Sequence, residues 1–386
     1  MKVLFLAGLP FNSHIQVGEQ KYAKLFKKEG FEVFYLSHYI HPFKFIKINS
    51  RNKKLFKYWY KGVNKNKEGI LCYSPFCYLP YVNLPILDNI NLANSCLNFS
   101  FPNLKKILKK NSFINIDILF INNISAISVL NFVKPKLIIF RLSDRIEKFE
   151  NVPDTMSLLK EKIIKISDLI FVTSKNLEKE TKVNNRNVYY LPNGICKDFI
   201  FNRKKNYYFP KEYKNISKPI VIYIGAIRSH FDFETFEYGL SKLRNISFVL
   251  IGPVGSNCLS IIKKFKKKYS NFYYLGPKYH KELEIYLFFS EVGIIPFKIN
   301  SLTNEINPVK FFEYAGYGLP VVSSDMLELK NYKKYVFFYK NKEEYIDLIK
   351  DTIDMKSIRL RMINFASENT WEERFKFMLS KIKELL

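Results

Sequence analysis

Cysteine is scarce in this sequence. Its 386 residues contain an odd number of cysteines, and they are scattered: Cys72, Cys77, Cys96, Cys196 and Cys258. The nearest pair, at positions 72 and 77, has no second pair at a matching spacing, so neither a zinc site nor a disulfide framework is indicated. A reducing compartment therefore suits the chain best, and we expect a cytoplasmic protein.

Long apolar runs are also missing. The apolar stretch Val3–Phe11 is too short to cross a bilayer, and it continues into a polar stretch with helical spacing. No small-residue cleavage site follows it, so we interpret it as a buried first strand rather than a secretory signal. Since no other stretch reaches the length of a spanning helix, any membrane contact is expected to be peripheral, on the cytoplasmic face of the inner membrane.

Acidic residues are few beside basic ones. The chain has 35 Asp and Glu against 62 Lys and Arg, a formal net charge of +27. A charge of this size favours anionic partners, namely phosphate-bearing substrates, a membrane surface or nucleic acid, although biased genomic composition is an alternative source of the lysines. Apolar residues make up 47% and aromatic residues 17%, so two or three domains with sizeable cores are expected.

The first 200 residues alternate strand and helix patterns. Lys2–Ala7 predicts a strand, Val17–Lys28 a helix and Glu32–Ser37 a second strand, which together make a parallel βαβ opening. Further strands are predicted at Ile118–Ile121, Leu137–Arg141, Leu169–Thr173 and Val188–Leu191. We therefore expect a doubly wound α/β domain over residues 1–200, in which ligands collect beyond the carboxyl ends of the strands.

Two of these strand ends carry candidate catalytic residues. The loop LPFNSHIQVGEQ holds His14, a candidate general base or hydrogen-bond donor to an acceptor, with a plain surface histidine as the alternative. This loop lacks the G-x-G-x-x-G fingerprint, so a dinucleotide is not indicated. In IIFRLSDRIEKF, Asp144 follows the strand and could take a proton from a substrate hydroxyl; the alternative is a helix cap or a partner for Arg141 or Arg145.

A segment of distinct character lies within this first domain. Lys44–Lys67 contains nine Lys or Arg residues and no acid. Aromatic side chains are interleaved with these cations: Phe43, Phe45, Phe56, Tyr58, Trp59 and Tyr60. Such a basic-aromatic segment suits an anionic membrane interface or single-stranded nucleic acid, and a solvated lobe is the plainest alternative.

The second half repeats the α/β pattern. Residues 201–218 lack periodicity and are charged, so we interpret them as a linker. Strands are then predicted at Ile220–Gly225, Ser247–Gly252, Phe272–Leu275, Val292–Ile295, Leu319–Ser323 and Tyr335–Tyr339. A second doubly wound domain is expected over residues 219–365, and residues 366–386 are expected to form a helix that crosses back to the first domain.

The stretch Thr303–Asp325 organises this second domain. Its spacing predicts a helix that Asn307 caps and Pro308 enters, with glycines at 316 and 318 ending it. Lys310 then lies in the first turn, and Glu313 follows one turn later. The helix N-terminus and the lysine suit a diphosphate, and the glutamate suits a ribose diol. A chance Lys and Glu on an ordinary helix is the alternative.

These features resemble the GT-B glycosyltransferases over nearly the whole chain. Glu305 through Glu313 matches the E-x7-E element of many retaining members, whose second Glu binds the donor ribose, and Asn307–Lys310 resembles the segment whose lysine contacts the donor diphosphate. IYIGAIRSHFDFE and FVLIGPV resemble the first two strands of the family's C-terminal domain, and DLIFVTSKNLEKE with YYLPNGI resembles the segment before its linker. The opening from His14 resembles bacterial exopolysaccharide and cell-wall sugar transferases, including the xanthan-type glucuronosyltransferases. Those are inverting enzymes with a catalytic aspartate in the first domain, and RLSD puts Asp144 at the matching position.

The resemblance implies a fold, an activity and a donor site. The fold is α/β, with two Rossmann-like domains that face each other across a cleft. The activity is a hexosyltransferase reaction from a nucleotide-diphosphate sugar, with UDP-sugar favoured, to a glycan or lipid-linked acceptor in bacterial surface polysaccharide synthesis. The implied donor-binding residues are Gly225, Arg228, Gly252, Pro253, Tyr279, Glu305, Asn307, Pro308, Lys310 and Glu313.

Three further expectations complete this interpretation. No cofactor and no metal are expected beyond the nucleotide sugar, because the sequence has no D-x-D triplet. Retention and inversion both stay open, since the E-x7-E element is typical of the former and the Asp144 region of the latter. A sugar-nucleotide epimerase of similar architecture and a basic nucleic-acid-binding protein are the alternatives, although nucleic acid is not the expected partner.

Overall fold

The computed structural model describes residues 1–13, 16–46, 50–148 and 152–386, except for the side chains of 46 and 50–54. The chain divides into two compact units, one of residues Met1–Pro192 with Phe375–Leu386 and one of Asn193–Arg374. Residues 201–218, interpreted above as a linker, therefore belong to the second unit. They include a 3₁₀ turn, Lys211–Asn215, in which Tyr213 is buried. A single buried ring in a charged stretch produces no apolar periodicity, so the sequence did not indicate that this stretch packs against the second unit.

The first unit is built on a parallel sheet. Its strands are β1 Lys2–Leu6, β2 Glu32–Leu36, β3 Asn64–Lys65, β4 Leu71–Tyr73, β5 Phe76–Cys77, β6 Ser100–Phe101, β7 Asn115–Ile121, β8 Lys134–Leu142, β9 Leu169–Val172 and β10 Val188–Tyr190. Within the described residues eight of them form one sheet, in the order β10-β9-β8-β7-β1-β2-β4-β3. Neighbours in it are parallel except β3 and β4, and β5 pairs with β6 in a separate antiparallel ribbon.

Helices cover this sheet and bury its apolar strands. They are α1 Gly18–Lys28, α2 Phe43–Ile46, α3 Ser50–Tyr60, α4 Ile90–Ala93, α5 Leu104–Lys110, α6 Met156–Ile166 and α7 Lys175–Thr181. The central strand β1 is continuously apolar and its residues from Val3 onwards are buried, as expected for a parallel strand covered on both faces. Strand β7, its neighbour, ends in the equally buried Phe120 and Ile121.

The second unit repeats this arrangement on a smaller sheet. Its strands are β11 Ile220–Ile224, β12 Ser247–Ile251, β13 Phe272–Tyr274, β14 Val292–Ile295, β15 Val321–Ser324 and β16 Val336–Tyr339. They form a fully parallel sheet in the order β13-β12-β11-β14-β15-β16. The order reverses direction beside β11, and such a switch point is where open α/β sheets bind ligands.

The helices of the second unit follow its strands in turn. They are α8 Phe233–Lys242, α9 Leu259–Lys268, α10 Leu283–Phe288, α11 Val309–Gly316, α12 Lys342–Thr352 and α13 Arg359–Glu368. The last helix of the chain, α14, spans Trp371–Lys383, and its residues from Phe375 onwards belong to the first unit. There the Phe375 ring packs edge-on against Phe26 of α1, with ring centroids 4.8 Å apart.

The prediction of doubly wound α/β architecture is confirmed in both units. The short strands β3, β4, β5 and β6 were not predicted, because two or three residues cannot display a period of two. Among the described residues, no helix combines the length and apolar character that a membrane span requires.

Candidate functional site

Helix α11 is fastened to the sheet of the second unit by a buried tyrosine. The Tyr314 hydroxyl accepts a hydrogen bond from the N–H of Ile224 at 3.0 Å and donates one to the carbonyl of Ile294 at 3.2 Å. Gly293 leaves room for the ring, because a Cβ built there would lie 2.5 Å from Tyr314 Cδ2. These contacts hold α11 against the carboxyl-terminal residues of β11 and β14.

Glycines follow two adjacent strands of this sheet, β11 and β12. Gly225 follows β11 with φ +130° and Gly252 follows β12 with φ +150°, a region that L side chains rarely adopt. A Cβ built on Gly252 would lie 1.9 Å from the carbonyl oxygen of Gly225, and one on Gly225 would lie 3.0 Å from Lys310 Cε. Neither position has room for a side chain, so only glycine fits at these two strand ends. Pro253 continues this turn, and its carbonyl accepts from the N–H of Ile227 at 2.9 Å.

Lys310, in the first turn of α11, lies close to two aromatic rings at this strand end. Its Nζ is 4.7 Å from the ring centroid of Tyr223 and 4.4 Å from that of Phe297, and it donates to the Tyr223 hydroxyl at 3.2 Å. Burial lowers the pKa of Lys310 to about 7, and the nearby carboxylate of Glu313 opposes this shift. An anion that reached this amine would restore its full charge.

Glu313 lies one turn further along α11 and has a partner that the sequence did not suggest. Its Oε1 is 2.8 Å from Nε2 of His280, in the 3₁₀ turn His280–Glu282. The imidazole lies against the buried Phe199 ring, with centroids 4.2 Å apart. Lys310 and Glu313 are thus on neighbouring turns of one short helix, as predicted for a site that takes a diphosphate and a ribose.

The predicted cap of α11 is wrong. The structure has Pro308 at the N-cap, and none of the described side chains makes a cap hydrogen bond there. Asn307 is buried, and its Nδ2 donates to Glu328 Oε1 at 3.2 Å while its Oδ1 accepts from the N–H of Asn193 at 3.0 Å. Because these tertiary partners occupy the amide, it ties loops together and leaves the first N–H groups of α11 to other acceptors.

The remaining donor-site candidates differ in exposure. Arg228 is exposed in the loop after β11. The pKa of the nearby His230 is lowered to about 4, mainly by burial and to a lesser extent by the positive charges of Lys310 and Arg228. Two cations therefore lie near one imidazole. Tyr279 is exposed, and its N–H donates to Glu282 Oε2 at 2.6 Å. Glu305 is buried in the 3₁₀ turn Thr303–Glu305 that precedes α11.

Asp144 lies in the first unit, beyond the end of β8. Burial raises the pKa of Asp144 to about 7, and the positive charge of Arg141 opposes this shift. Arg141 is itself buried; it bonds the Ser143 hydroxyl, lies over the Tyr22 ring at 5.4 Å and fills the space beside Gly18, where a Cβ would be 2.9 Å from its Cζ. The carboxyl at this strand end can therefore exchange a proton near neutral pH.

The loop that follows β1 is held by a carboxylate that the sequence did not reveal. Glu19 accepts from the N–H groups of Gly8 at 2.9 Å and Leu9 at 2.8 Å, and the Tyr35 hydroxyl donates to it at 3.1 Å. Burial raises the pKa of Glu19, and these hydrogen bonds oppose the rise. His14, the other candidate of this loop, lies outside the described residues, so its predicted role stays a prediction.

The basic-aromatic segment Lys44–Lys67 falls partly outside the described residues, at positions 47–49. In its described part, Phe45 and Tyr60 are exposed, and the Trp59 indole donates to the carbonyl of Phe101 at 2.7 Å. Phe101 is also exposed and packs against exposed Tyr78, with ring centroids 6.0 Å apart. Aromatic exposure therefore extends from the segment onto the β5–β6 ribbon.

Several residues of these sites were missed by sequence reasoning. His280, Tyr223 and Phe297 come from three separate segments and meet α11 only through the fold. Of these three, Tyr223 could have been noticed, because it lies near the end of the predicted strand Ile220–Gly225. Alternate residues at a strand end can face a ligand. In the described part of the chain, no group of three or more His, Cys, Asp or Glu side chains is arranged to hold a metal ion.

Sequence comparison finds one partial likeness. No family model matches the chain. It is 24% identical over 193 residues to TuaH of Bacillus subtilis (strain 168), a candidate glycosyltransferase of teichuronic acid biosynthesis, and the match covers 49% of this chain and 48% of that protein. The matched stretch thus spans about half the length of this curated relative.

Solved structures share the fold over the whole chain. Sucrose-phosphate synthase from Thermosynechococcus elongatus has a TM-score of 0.68 at 12% identity and covers 100% of this chain and 99% of its own. HepE from Anabaena in complex with UDP has a TM-score of 0.67 at 12% identity, and an E. coli trehalose-6-phosphate synthase bound with UDP-2-fluoro glucose has 0.66 at 14%, each over 100% of both chains. These neighbours are GT-B glycosyltransferases, and the predicted GT-B fold is confirmed.

Proposed function

We propose that this chain is a glycosyltransferase that moves a sugar from a UDP-sugar to a hydroxyl acceptor. The observation that carries this proposal is the position of Lys310. Its amine sits at the N-terminus of α11, beside the side-chain-free turn at Gly225, with Glu313 one turn away. HepE has been crystallised with UDP and with UDP-glucose, which supports a uridine nucleotide as the ligand of the same fold here.

Lys310 is proposed to stabilise the leaving group. When the bond between the anomeric carbon and the diphosphate oxygen breaks, negative charge develops on that oxygen. A lysine and the free N–H groups of a helix start can both interact with this charge, and their effect is strong where water is excluded. Arg228 adds a second cation near the same strand end, and Glu313 is proposed to accept hydrogen bonds from the ribose.

Asp144 is proposed to act as the general base. Its carboxylate would take the proton of the acceptor hydroxyl while the acceptor oxygen bonds to the anomeric carbon and UDP departs. Its pKa of about 7 leaves a substantial deprotonated fraction at neutral pH and makes it a stronger base than an ordinary aspartate. A single displacement of this kind inverts the anomeric centre, so product stereochemistry tests the role directly.

The proposed acceptor is a glycan or lipid-linked intermediate of bacterial surface polysaccharide synthesis. The partial likeness to TuaH supports this class. The exposed aromatics Phe45, Tyr60 and Tyr78 lie in or near a segment rich in cations, which suits a cytoplasmic protein that docks on an anionic membrane. Co-sedimentation with anionic liposomes at low salt, which neutral liposomes should not support, tests this part alone.

The deciding experiment is a screen of nucleotide sugars for release of free nucleotide, with calorimetric titration of UDP alongside. We expect UDP to bind and Glu313→Ala to weaken binding by about 10-fold or more, as for a lost hydrogen bond to a charged group. An epimerized sugar nucleotide formed from donor alone would instead identify an epimerase. Absence of UDP binding by the folded protein would overturn the proposal.

Catalysis without a metal ion is part of the proposal. The sequence has no D-x-D triplet, and Lys310 with the start of α11 offers the positive charge that a divalent ion supplies in other transferases. Treatment with EDTA should leave the initial rate of transfer unchanged, and added Mg²⁺ or Mn²⁺ should not raise it. A rate that falls with EDTA and returns with a divalent ion would contradict this part.

A further inference from the structure

His280 contacts Glu313, the residue proposed above to bind the ribose. Its Nε2 lies 2.8 Å from Glu313 Oε1. The imidazole comes from a different segment, the 3₁₀ turn His280–Glu282 between β13 and α10, so the pair joins two elements that are far apart in sequence. Both side chains are largely covered, with 19% and 11% of their surface exposed, which strengthens a hydrogen bond relative to one in open water.

The ring of His280 is itself held in place. It lies against the Phe199 ring with centroids 4.2 Å apart and an interplanar angle of 31°. Phe199 is buried and packs edge-on against Tyr317, with centroids 5.5 Å apart, at the C-terminal end of α11. The imidazole therefore has little freedom to turn away from Glu313, and this contact limits the rotamers of the carboxylate in turn.

The contact gives the two oxygens of the Glu313 carboxylate different hydrogen-bonding roles. A carboxylate has two oxygens with about four acceptor positions, and an imidazole N–H uses one position on Oε1. The other oxygen, Oε2, is left to accept hydroxyl donors. A carboxylate free to rotate would lose side-chain entropy whenever it ordered around a diol, whereas one already fixed by an imidazole loses less.

We propose that His280 is a positioning residue that sets the selectivity of this site for ribose over deoxyribose nucleotides. It does so by fixing Glu313 in the orientation that accepts the ribose hydroxyls. This inference rests on the proposed function, because it takes Glu313 as the ribose ligand. His280 itself touches no substrate in this scheme; its effect passes through the carboxylate.

The test compares two ligands that differ only in the hydroxyls. Calorimetry with the full chain measures the Kd of UDP and of 2′,3′-dideoxyuridine diphosphate, and the ratio of the two isolates the contribution of the diol. For the unmodified chain we expect the dideoxy compound to bind about 10- to 100-fold more weakly. Glu313→Ala should bring the ratio close to one.

Substitutions at His280 should change the ratio in a graded way. His280→Ala should lower it about 3- to 10-fold, by weakening UDP while leaving the Kd of the dideoxy compound unchanged. His280→Gln keeps an N–H donor of similar reach and should restore most of the ratio. Lys281→Ala, a change at the exposed next residue, is the matched control and should leave both affinities as they are.

The outcomes separate this inference from the function on which it rests. Equal weakening of both ligands by His280→Ala, or an unchanged ratio, would overturn the positioning role even if Glu313→Ala abolishes the selectivity. A ratio that survives Glu313→Ala would instead overturn the ribose role of Glu313. Failure of the unmodified chain to bind either ligand would overturn the proposed function itself. Thermal melting of each variant shows whether a change in affinity reflects unfolding.

Discussion

Each unit has a partly buried titratable group near a strand end, an acid in the first unit and an amine in the second, and the two groups have a similar pKa. Beyond β8, burial raises the pKa of Asp144 to about 7, and beside the end of β11, burial lowers the pKa of Lys310 to about 7. In each case one group of opposite sign, Arg141 or Glu313, opposes the shift. Removal of water disfavours whichever form is charged, so the same physical cause makes an acid weaker and a base weaker.

The surroundings of the two groups differ in a way that suits different tasks. Asp144 is followed by a loop, and its neighbour Arg141 is engaged with Ser143 and Tyr22. Lys310 stands on a helix that Tyr314 fixes to the sheet, with two aromatic rings close to the amine. A carboxyl that can exchange protons fits a general base, whereas an amine on a fixed helix fits the binding of a diphosphate.

The largest expected effect tests the acidic member of this comparison. Asp144→Asn should lower the rate of sugar transfer by about 10²–10⁴, because the amide cannot take the acceptor proton. UDP binding, measured by calorimetry, should be unchanged. Asp154→Asn, at an exposed aspartate of the same unit, is the control and should transfer at the normal rate. Normal transfer by a folded Asp144→Asn variant would leave this carboxyl a structural role only.

The next effect tests the basic member. Lys310→Ala should lower kcat by about 10²–10³, as does the loss of a group that stabilises developing negative charge elsewhere. Steady-state release of UDP from the active donor sugar measures this. Lys298→Ala removes an exposed lysine near the same strands and should have little effect. Turnover within a few-fold of normal in Lys310→Ala would remove the lysine from the mechanism.

A third change tests whether the strand ends of the second unit need glycine for space or for backbone conformation. Gly252→Ala combines a positive φ with a Cβ 1.9 Å from the Gly225 carbonyl oxygen, and should cost about 2–4 kcal/mol of unfolding free energy in urea denaturation. Gly276→Ala shares the positive φ, but the described residues place no atom within 4 Å of its Cβ, so about 1 kcal/mol is expected. Equal costs would show that conformation alone matters.

The smallest effect concerns pH and the lysine. The free amine of Lys310 is half protonated near pH 7, and a bound diphosphate favours its charged form, so UDP binding should take up protons. The affinity for UDP should fall about fivefold between pH 7 and 8, as the protonated fraction falls. Calorimetry in buffers of different ionisation enthalpy measures the uptake. Lys310→Arg, which stays charged, should show none, and uptake that persists in this variant would assign it to another group.

Much of this architecture could be predicted from the sequence, because it depends on local pattern. Apolar runs gave the principal strands of both units, and strand ends with Gly225, Gly252 and Asp144 followed from them. Pro308 and the glycines at 316 and 318 placed Lys310 and Glu313 on one short helix. These positions required only the periods of helices and strands and the rule that parallel sheets bind ligands at their carboxyl ends.

The parts that could not be predicted depend on which segments meet in space. Asn307 has the chemistry of a helix cap, yet its amide is occupied by Asn193 and Glu328, more than a hundred and about twenty residues away in sequence. His280 reaches Glu313 only because the turn after β13 lies beside α11. The spacing of residues along the chain does not predict such long-range contacts. The pKa shifts that depend on these contacts cannot be predicted from the sequence either.

The hydrogen bonds of the Tyr314 hydroxyl bear on how much entropy ligand binding at α11 would cost. Strands β11 and β14 are paired at Val221–Val292 and Ile222–Gly293. Beyond these residues, the Tyr314 hydroxyl bridges the two strands through its hydrogen bonds with the N–H of Ile224 and the carbonyl of Ile294. A helix that serves as part of a β-ladder cannot slide along the sheet without breaking it. The entropy of orienting the proposed anion-binding end of α11 is therefore lost during folding, and a nucleotide bound there would not have to supply it.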